Sequence, residues 1–170
     1  LELLGVGRKL ADELGEPLCS VILGKGVSEH AQLLVEHGAD KVYVLEHDSL
    51  EQFVDELYAN LVVDLITKEK PNKFLLPAST IGRSFGSRVA VLANTGITAD
   101  ATELGINKEK GNLLNAIRPS FGGTLMATIL CIRGHRPEMA TSRHMAFSPG
   151  PRETGRKGEI VNVSVDPSKY

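Results

Sequence analysis

The sequence predicts an α/β fold: a doubly wound, mostly parallel sheet with antiparallel strands toward the C-terminal end. Two observations carry that expectation. Up to about Gly96, short apolar runs of strand length alternate with amphipathic helical stretches, the rhythm of right-handed βαβ crossovers. Beyond Gly96 the helical periodicity stops and strand-like runs follow one another with hairpin-like breaks.

Leu3, Leu4, Leu10, Ala11 and Leu14 recur at helical spacing over residues 1–15, and Gly15 with Pro17 beyond it supplies the stop. Residues 18–23 form a short apolar run suited to a strand covered on both faces. A helix from Ser28, whose hydroxyl can cap it, to His37 then leads through Gly38-Ala39-Asp40 into a strand over 41–45. A longer helix spans 50–69 with Phe53, Leu57, Leu61, Leu65 and Ile66 on one stripe, and Pro71 ends it before a strand over 73–76. Helix 81–94 follows the turn Thr80-Ile81-Gly82-Arg83. The later strand-like runs cover 100–106, 113–118, 125–133 and 160–165, with the clearest break at residues 107–112. They read as an antiparallel extension or edge of the parallel sheet, so that one domain spans 1–165. The segment 148–158, rich in Gly, Pro, Arg and Lys, reads as a mobile surface loop.

Composition excludes several functions. With 170 residues, 42% hydrophobic and 24% charged, the chain is an ordinary globular one. Its net charge of −2 argues against a nucleic-acid partner or an acidic membrane surface, which need a basic excess. No apolar run approaches the ~20 residues that span a bilayer, so no membrane insertion is expected. Cys19 and Cys131 lie inside apolar runs and read as small core hydrophobes, and the absence of a Cys-x-x-Cys pair fits a reducing compartment. No metal-ligand cluster is visible, and no serine or cysteine nucleophile has a convincing partner, so no catalytic residue is assigned.

Binding residues are better marked. Residues 78–84 follow the strand over 73–76, where helix N-terminal amides attract anions, so Thr80 and Arg83 are candidates for holding a phosphate. The plainer alternative is that Ser79 or Thr80 caps the helix while Arg83 pairs with a nearby acid. There is no Gly-x-Gly-x-x-Gly and no Walker loop. Residues 118–147 are the most informative: Arg118, Arg133, His135, Arg136, Arg143 and His144 punctuate an apolar, β-prone stretch, and two Arg-Pro pairs mark where strand pairing stops or begins. Gly122 and Gly123 either form a tight turn with positive φ or let the backbone come close to a flat or anionic partner.

In this stretch Arg118-Pro119-Ser120-Phe121-Gly122-Gly123, the strand that follows, and Arg136-Pro137-Glu138-Met139-Ala140-Thr141-Ser142-Arg143 closely resemble the first domain of the alpha subunit of electron transfer flavoproteins. The opening residues 1–15, the turn and strand from Gly38 to Val44, and Ala78 to Ser84 fit as well. Each motif alone is weak; together and in this order they are specific. The resemblance implies an adenine-nucleotide-alpha-hydrolase-like fold, with residues 166–170 beginning a linker to a separate FAD-binding domain. It implies a heterodimer with the beta subunit and an FAD held mostly by that further domain and the partner subunit. The complex would be an electron carrier rather than an enzyme, fed by acyl-CoA or other flavoprotein dehydrogenases, as in fatty acid β-oxidation. Its place would be the bacterial cytoplasm, or as a second choice the mitochondrial matrix. Whether such a complex also bifurcates electrons from NADH through a second FAD is left open.

By the same resemblance, Arg143 faces a flavin at the subunit junction, with Arg118, Gly122 and Gly123 nearby; the alternative is a structural ion pair in the interface. A guanidinium ~4 Å from the ring favours its reduced anion by roughly 4 kcal/mol at an intermediate dielectric, and by less after desolvation. Two departures from the family pattern stand out: His144 follows Arg143 where family members have proline, and the chain opens on a helix where they open on a central strand. Either the chain is a piece of a longer one, or another segment takes that strand's place. The rival reading is a stand-alone adenine-nucleotide-binding domain of universal-stress type, with its phosphate site at residues 79–83.

Overall fold

A computed structural model of the chain describes residues 1–131 and 134–170; Ile132 and Arg133, the end of the strand expected over 125–133, lie outside the described residues. In chain order the elements are α1 (Glu2–Leu14), β1 (Cys19–Gly24), α2 (Ala31–Glu36), β2 (Lys41–Glu46), α3 (Asp55–Glu69), β3 (Lys73–Pro77) and α4 (Thr80–Leu92). Strands β4 (Ile97–Ala101), β5 (Glu103–Asn107), β6 (Leu113–Ser120), β7 (Leu125–Leu130), β8 (Glu138–Ser142) and β9 (Glu159–Asn162) follow. The architecture is α/β, and the chain divides into two compact units, 1–58 with 148–170 and 59–147.

In the first unit, β1, β2 and β9 form a parallel sheet in the order β1-β2-β9. The central strand β2 buries Val42, Tyr43, Val44 and Leu45 in succession, the continuous apolar run of a strand covered on both faces. Leu4 of α1, Ala31 and Val35 of α2, and Val42 and Val44 pack into one cluster, each large aliphatic contributing about 1.5–3 kcal/mol on full burial. Ser28 does not cap a helix. It lies in a single 3-10 turn over 28–30, and its N–H and hydroxyl both donate to the Glu46 carboxylate, which they hold below the usual range. The helix expected over 50–69 likewise begins later, at Asp55, leaving Phe53 exposed outside it and edge-on to Tyr58.

The segment 148–158 is anchored rather than loose. Arg152 Nε lies 2.7 Å from Glu36 Oε2, the Glu153 N–H donates to the Glu36 carbonyl, and Arg156 Nη2 reaches Asp40 Oδ1 at 2.8 Å. Neither cysteine is a core residue: Cys19 is exposed and Cys131 half-buried.

In the second unit, β3, β8 and β4 form a parallel sheet with β8 between the other two, and β5, β6 and β7 form an antiparallel sheet of their own. All five residues of β8 are buried. The runs expected over 100–106, 113–118 and 125–133 thus supply the antiparallel strands, whereas the run over 160–165 corresponds to β9 in a parallel sheet, and β8, a strand not expected, lies in the other parallel sheet. The physical reason for β8 lies at its head, where Glu138 is fully buried between Lys73 Nζ at 3.3 Å and Arg136 Nη1 at 2.7 Å and also accepts the Leu114 N–H. A buried carboxylate is tolerable only with such partners, and these tie β8 to β3 and β6. Among the described residues no strand pairs with the outer edge of β1 or with that of β3.

Candidate functional site

Within the second unit, the carboxyl ends of β3, β4 and β8 lie side by side, joined by two backbone bonds: Ala78 N–H to the Ser142 carbonyl and Arg143 N–H to the Ala101 carbonyl, both 2.8 Å. The pairing of β4 with β8 breaks register between Thr98 and Ala101. At that irregularity Asp100 takes a left-handed conformation, φ 65°, and its N–H donates to Thr141 Oγ1 at 2.8 Å. Asp is one of the few residues that accept this conformation without a large penalty.

Asp100 Oδ2 accepts from Arg143 Nε at 3.2 Å and Nη2 at 2.5 Å, and Oδ1 accepts from Arg83 Nη2 at 3.2 Å. Arg83 is braced by a second bond, Nε to the Ala78 carbonyl at 2.9 Å. The hydrogen bond and charge of Arg143, with the charges of Arg83 and Arg118, hold the Asp100 carboxyl below the usual range against the opposing effect of burial. Asp100 in turn raises the already high pKa of Arg143. Arg118 projects from β6, and its Nε is buried with no hydrogen-bond partner among the described residues.

Asp100, Arg118 and Arg143 line a cleft of about 700 Å³ together with residues 119–123. Gly122 and Gly123 have φ of 67° and 90°, and a Cβ at either would meet nothing within 4 Å. Their conformation, not close approach by the rest of the chain, is therefore what requires glycine. Three guanidiniums against one carboxylate leave the rim with a charge of +2. Among the described residues there is no metal-ligand cluster and no helix long and apolar enough to cross a membrane.

The structure thus brings Arg143, Arg118, Gly122 and Gly123 to one cleft and adds Arg83 through the shared carboxylate. Thr80 does not join them. It is the exposed first residue of α4, and Ser79 Oγ caps that helix by accepting from the Gly82 N–H at 3.1 Å. Across residues 78–84 the structure thus shows a serine cap and an arginine paired with an acid. Asp100 went unnoticed in the sequence, where its one signal is a lone acid in Ile97-Thr98-Ala99-Asp100-Ala101.

Chemically, the cleft offers fixed cations and a buried guanidinium N–H with no hydrogen-bond partner among the described residues. That donor set, the orphaned Arg118 Nε included, suits the electron-rich edge of a flat anionic group.

Comparison with known proteins bears on which group that is. The family model described as the electron transfer flavoprotein domain matches residues 1–168. Protein FixB of Clostridium saccharobutylicum is 47% identical over 147 residues, covering 86% of this chain and 43% of that protein. The electron transfer flavoprotein subunit alpha of Megasphaera elsdenii is 41% identical over 160 residues, 94% of this chain and 47% of that protein. Subunit LctC of the lactate dehydrogenase (NAD(+),ferredoxin) of Acetobacterium woodii is 38% identical over 168 residues, 99% of this chain and 40% of that protein. The chain spans less than half the length of these curated relatives.

Proposed function

Because the chain belongs to the electron transfer flavoprotein family, as an alpha-subunit N-terminal domain, we propose that its arginine-lined cleft faces the FAD of an electron carrier. The observation that carries the reading is the pairing of Arg143 and Arg83 with one mostly buried carboxylate, with Arg118 in the same cleft beside an open Gly-Gly turn. Bound flavin supplies reversible uptake of electrons, its reduced form carrying negative charge near N1 and the C2 carbonyl. Arg143, pinned through Nε and Nη2, keeps Nη1 for that edge, and Arg118 contributes a donor already desolvated. A guanidinium fixed before binding costs little further ordering when the anion forms beside it.

The same reading makes the domain scaffold and interface. We assign the beta subunit to the apolar outer strand β7 and the adjoining turn, where Phe121, Leu125 and Met126 are 82%, 59% and 54% exposed. Acyl-CoA or other flavoprotein dehydrogenases are the proposed electron donors; relatives named as subunits of a lactate dehydrogenase and an acryloyl-CoA reductase support a redox complex. Two cysteines 112 positions apart, with no Cys-x-x-Cys pair, fit a cytoplasmic site of action. Against the nucleotide-binding rival stands the α4 terminus, where Ser79 and Asp100 already occupy the groups a phosphate would use.

The test is Arg143→Ala in the full-length chain assembled with its partner and flavin. Loss of one fixed cation is expected to weaken binding of reduced relative to oxidised flavin about tenfold, a fall of about 59 mV for a one-electron step. An unchanged potential and unchanged flavin retention would remove Arg143 from the site.

A further inference from the structure

We propose that Asp100 is the built-in counter-charge of this cleft, setting how much of the arginines' positive field reaches the flavin. The inference rests on the reading above, and it turns on the sharing of one carboxylate by two cations. Asp100 lies 2.5 Å from Arg143 Nη2 and 3.2 Å from Arg83 Nη2, with its side chain 15% exposed and the two arginines 45% and 57% exposed. Any group that senses Arg143 from the cleft therefore senses Asp100 as well, with the opposite sign, and the less hydrated carboxylate is the less screened of the two. A close ion pair acts at a distance as a dipole, whose field falls off faster than that of a single charge. The third cation, Arg118, makes no hydrogen bond to Asp100, although its charge is sensed there.

The fold invests in placing this acid. Asp100 needs the left-handed backbone at the β4 irregularity, and Thr141 Oγ1 fixes its N–H from the buried strand β8. The Arg143 N–H bonded to the Ala101 carbonyl holds the two chain positions in register. An acid kept only to bind the arginines in place could be exchanged for asparagine at little cost, since the amide oxygen also accepts from a guanidinium. What asparagine cannot supply is the charge.

Asp100→Asn is therefore decisive, made in the full-length chain with its partner and flavin and read by redox titration against a reference dye. With the acceptor retained and the charge removed, the reduced flavin is favoured about tenfold, a rise of about 59 mV for a one-electron step, opposite in sign to Arg143→Ala. Asp100→Gly, which also suits a positive φ, drops the charge by a second route if the asparagine chain does not assemble. A purely structural Asp100 would lower the unfolding temperature and leave the potential in place. An unchanged or lowered potential in these variants, with Arg143→Ala lowering it, overturns the inference and leaves the flavin reading standing. No shift in Arg143→Ala, with flavin retention also unchanged, removes Arg143 from the flavin's reach and sinks the flavin reading and the inference with it.

Discussion

Gly82 illustrates how little room the start of α4 leaves. A Cβ there would overlap the Pro77 carbonyl oxygen and come within 3.1 Å of Pro77 C and 3.2 Å of Ser79 Oγ. Alanine gains up to about 1 kcal/mol over glycine inside a helix, but forcing an extra atom against backbone costs about 1–3 kcal/mol. The second effect wins because the obstacle is a strand-end carbonyl, not a flexible side chain. Gly82→Ala is expected to destabilise by about 1–2 kcal/mol, read as a lower urea midpoint; a raised midpoint would mean that the Pro77 peptide gives way. Single residues also show what a sequence can and cannot reveal about the cleft. Arg118, Arg143 and the Gly122-Gly123 pair were legible because cations in an apolar stretch and adjacent glycines are local signals. Asp100 was not, since its role depends on a left-handed turn and on a partner 43 residues away. Between the neighbouring hydroxyls of Ser79 and Thr80 only backbone conformation decides: Ser79 is extended and accepts from Gly82, while Thr80 is already helical.

At the scale of elements, the alternation of helix and strand up to Gly96 was readable from periodicity, because each element buries one face or both against its neighbours. Strand β8 was not, although it is wholly buried: Glu138 at its head reads as a surface residue until Lys73 and Arg136 are seen around it. The segment 148–158 misled for a related reason, its anchors Glu36 and Asp40 being contributed from more than a hundred positions earlier in the chain. The anchoring predicts an acid limb to stability. The Arg152 hydrogen bond and the Gly155 N–H hold Glu36 below the usual carboxylate range. In Asp40, burial works the other way but is outweighed by Arg8, the Leu18 N–H and Arg156. A carboxyl depressed in the folded state contributes stability that is complete above its unfolded value, near pH 4, and is lost as pH falls through the folded value. Glu36→Gln is therefore expected to melt lower than the parent at pH 7, with the gap closing as pH falls below about 4. Melting curves between pH 7 and pH 3 check this, and a gap independent of pH would show that the ion pair contributes nothing.

For the molecule as a whole, a net charge of −2 gives no general affinity for polyanions, so association has to come from particular surfaces. The surface that stands out is on the antiparallel sheet, where β7 is an edge strand with exposed residues on both of its faces. Leu125 and Met126 point to opposite sides of the strand, as successive residues must, and each is more than half exposed. An apolar edge strand open on both faces invites aggregation unless something covers it, which is the case for a subunit seated here. Covering a leucine or methionine side chain contributes about 1.5–3 kcal/mol when complete. Leu125→Lys and Met126→Lys, made singly in the full-length chain, should then each weaken assembly with the partner subunit about tenfold or more, since 1.4 kcal/mol is one decade in affinity. Their effect on unfolding of the unassembled chain should stay within about 0.5 kcal/mol, as for other exposed positions. Titration of labelled partner, followed by fluorescence anisotropy, separates the cases. Weakening by Leu125→Lys alone assigns contact to the face shared with Ile129, weakening by both assigns a partner that wraps the strand, and weakening by neither moves the interface off β7.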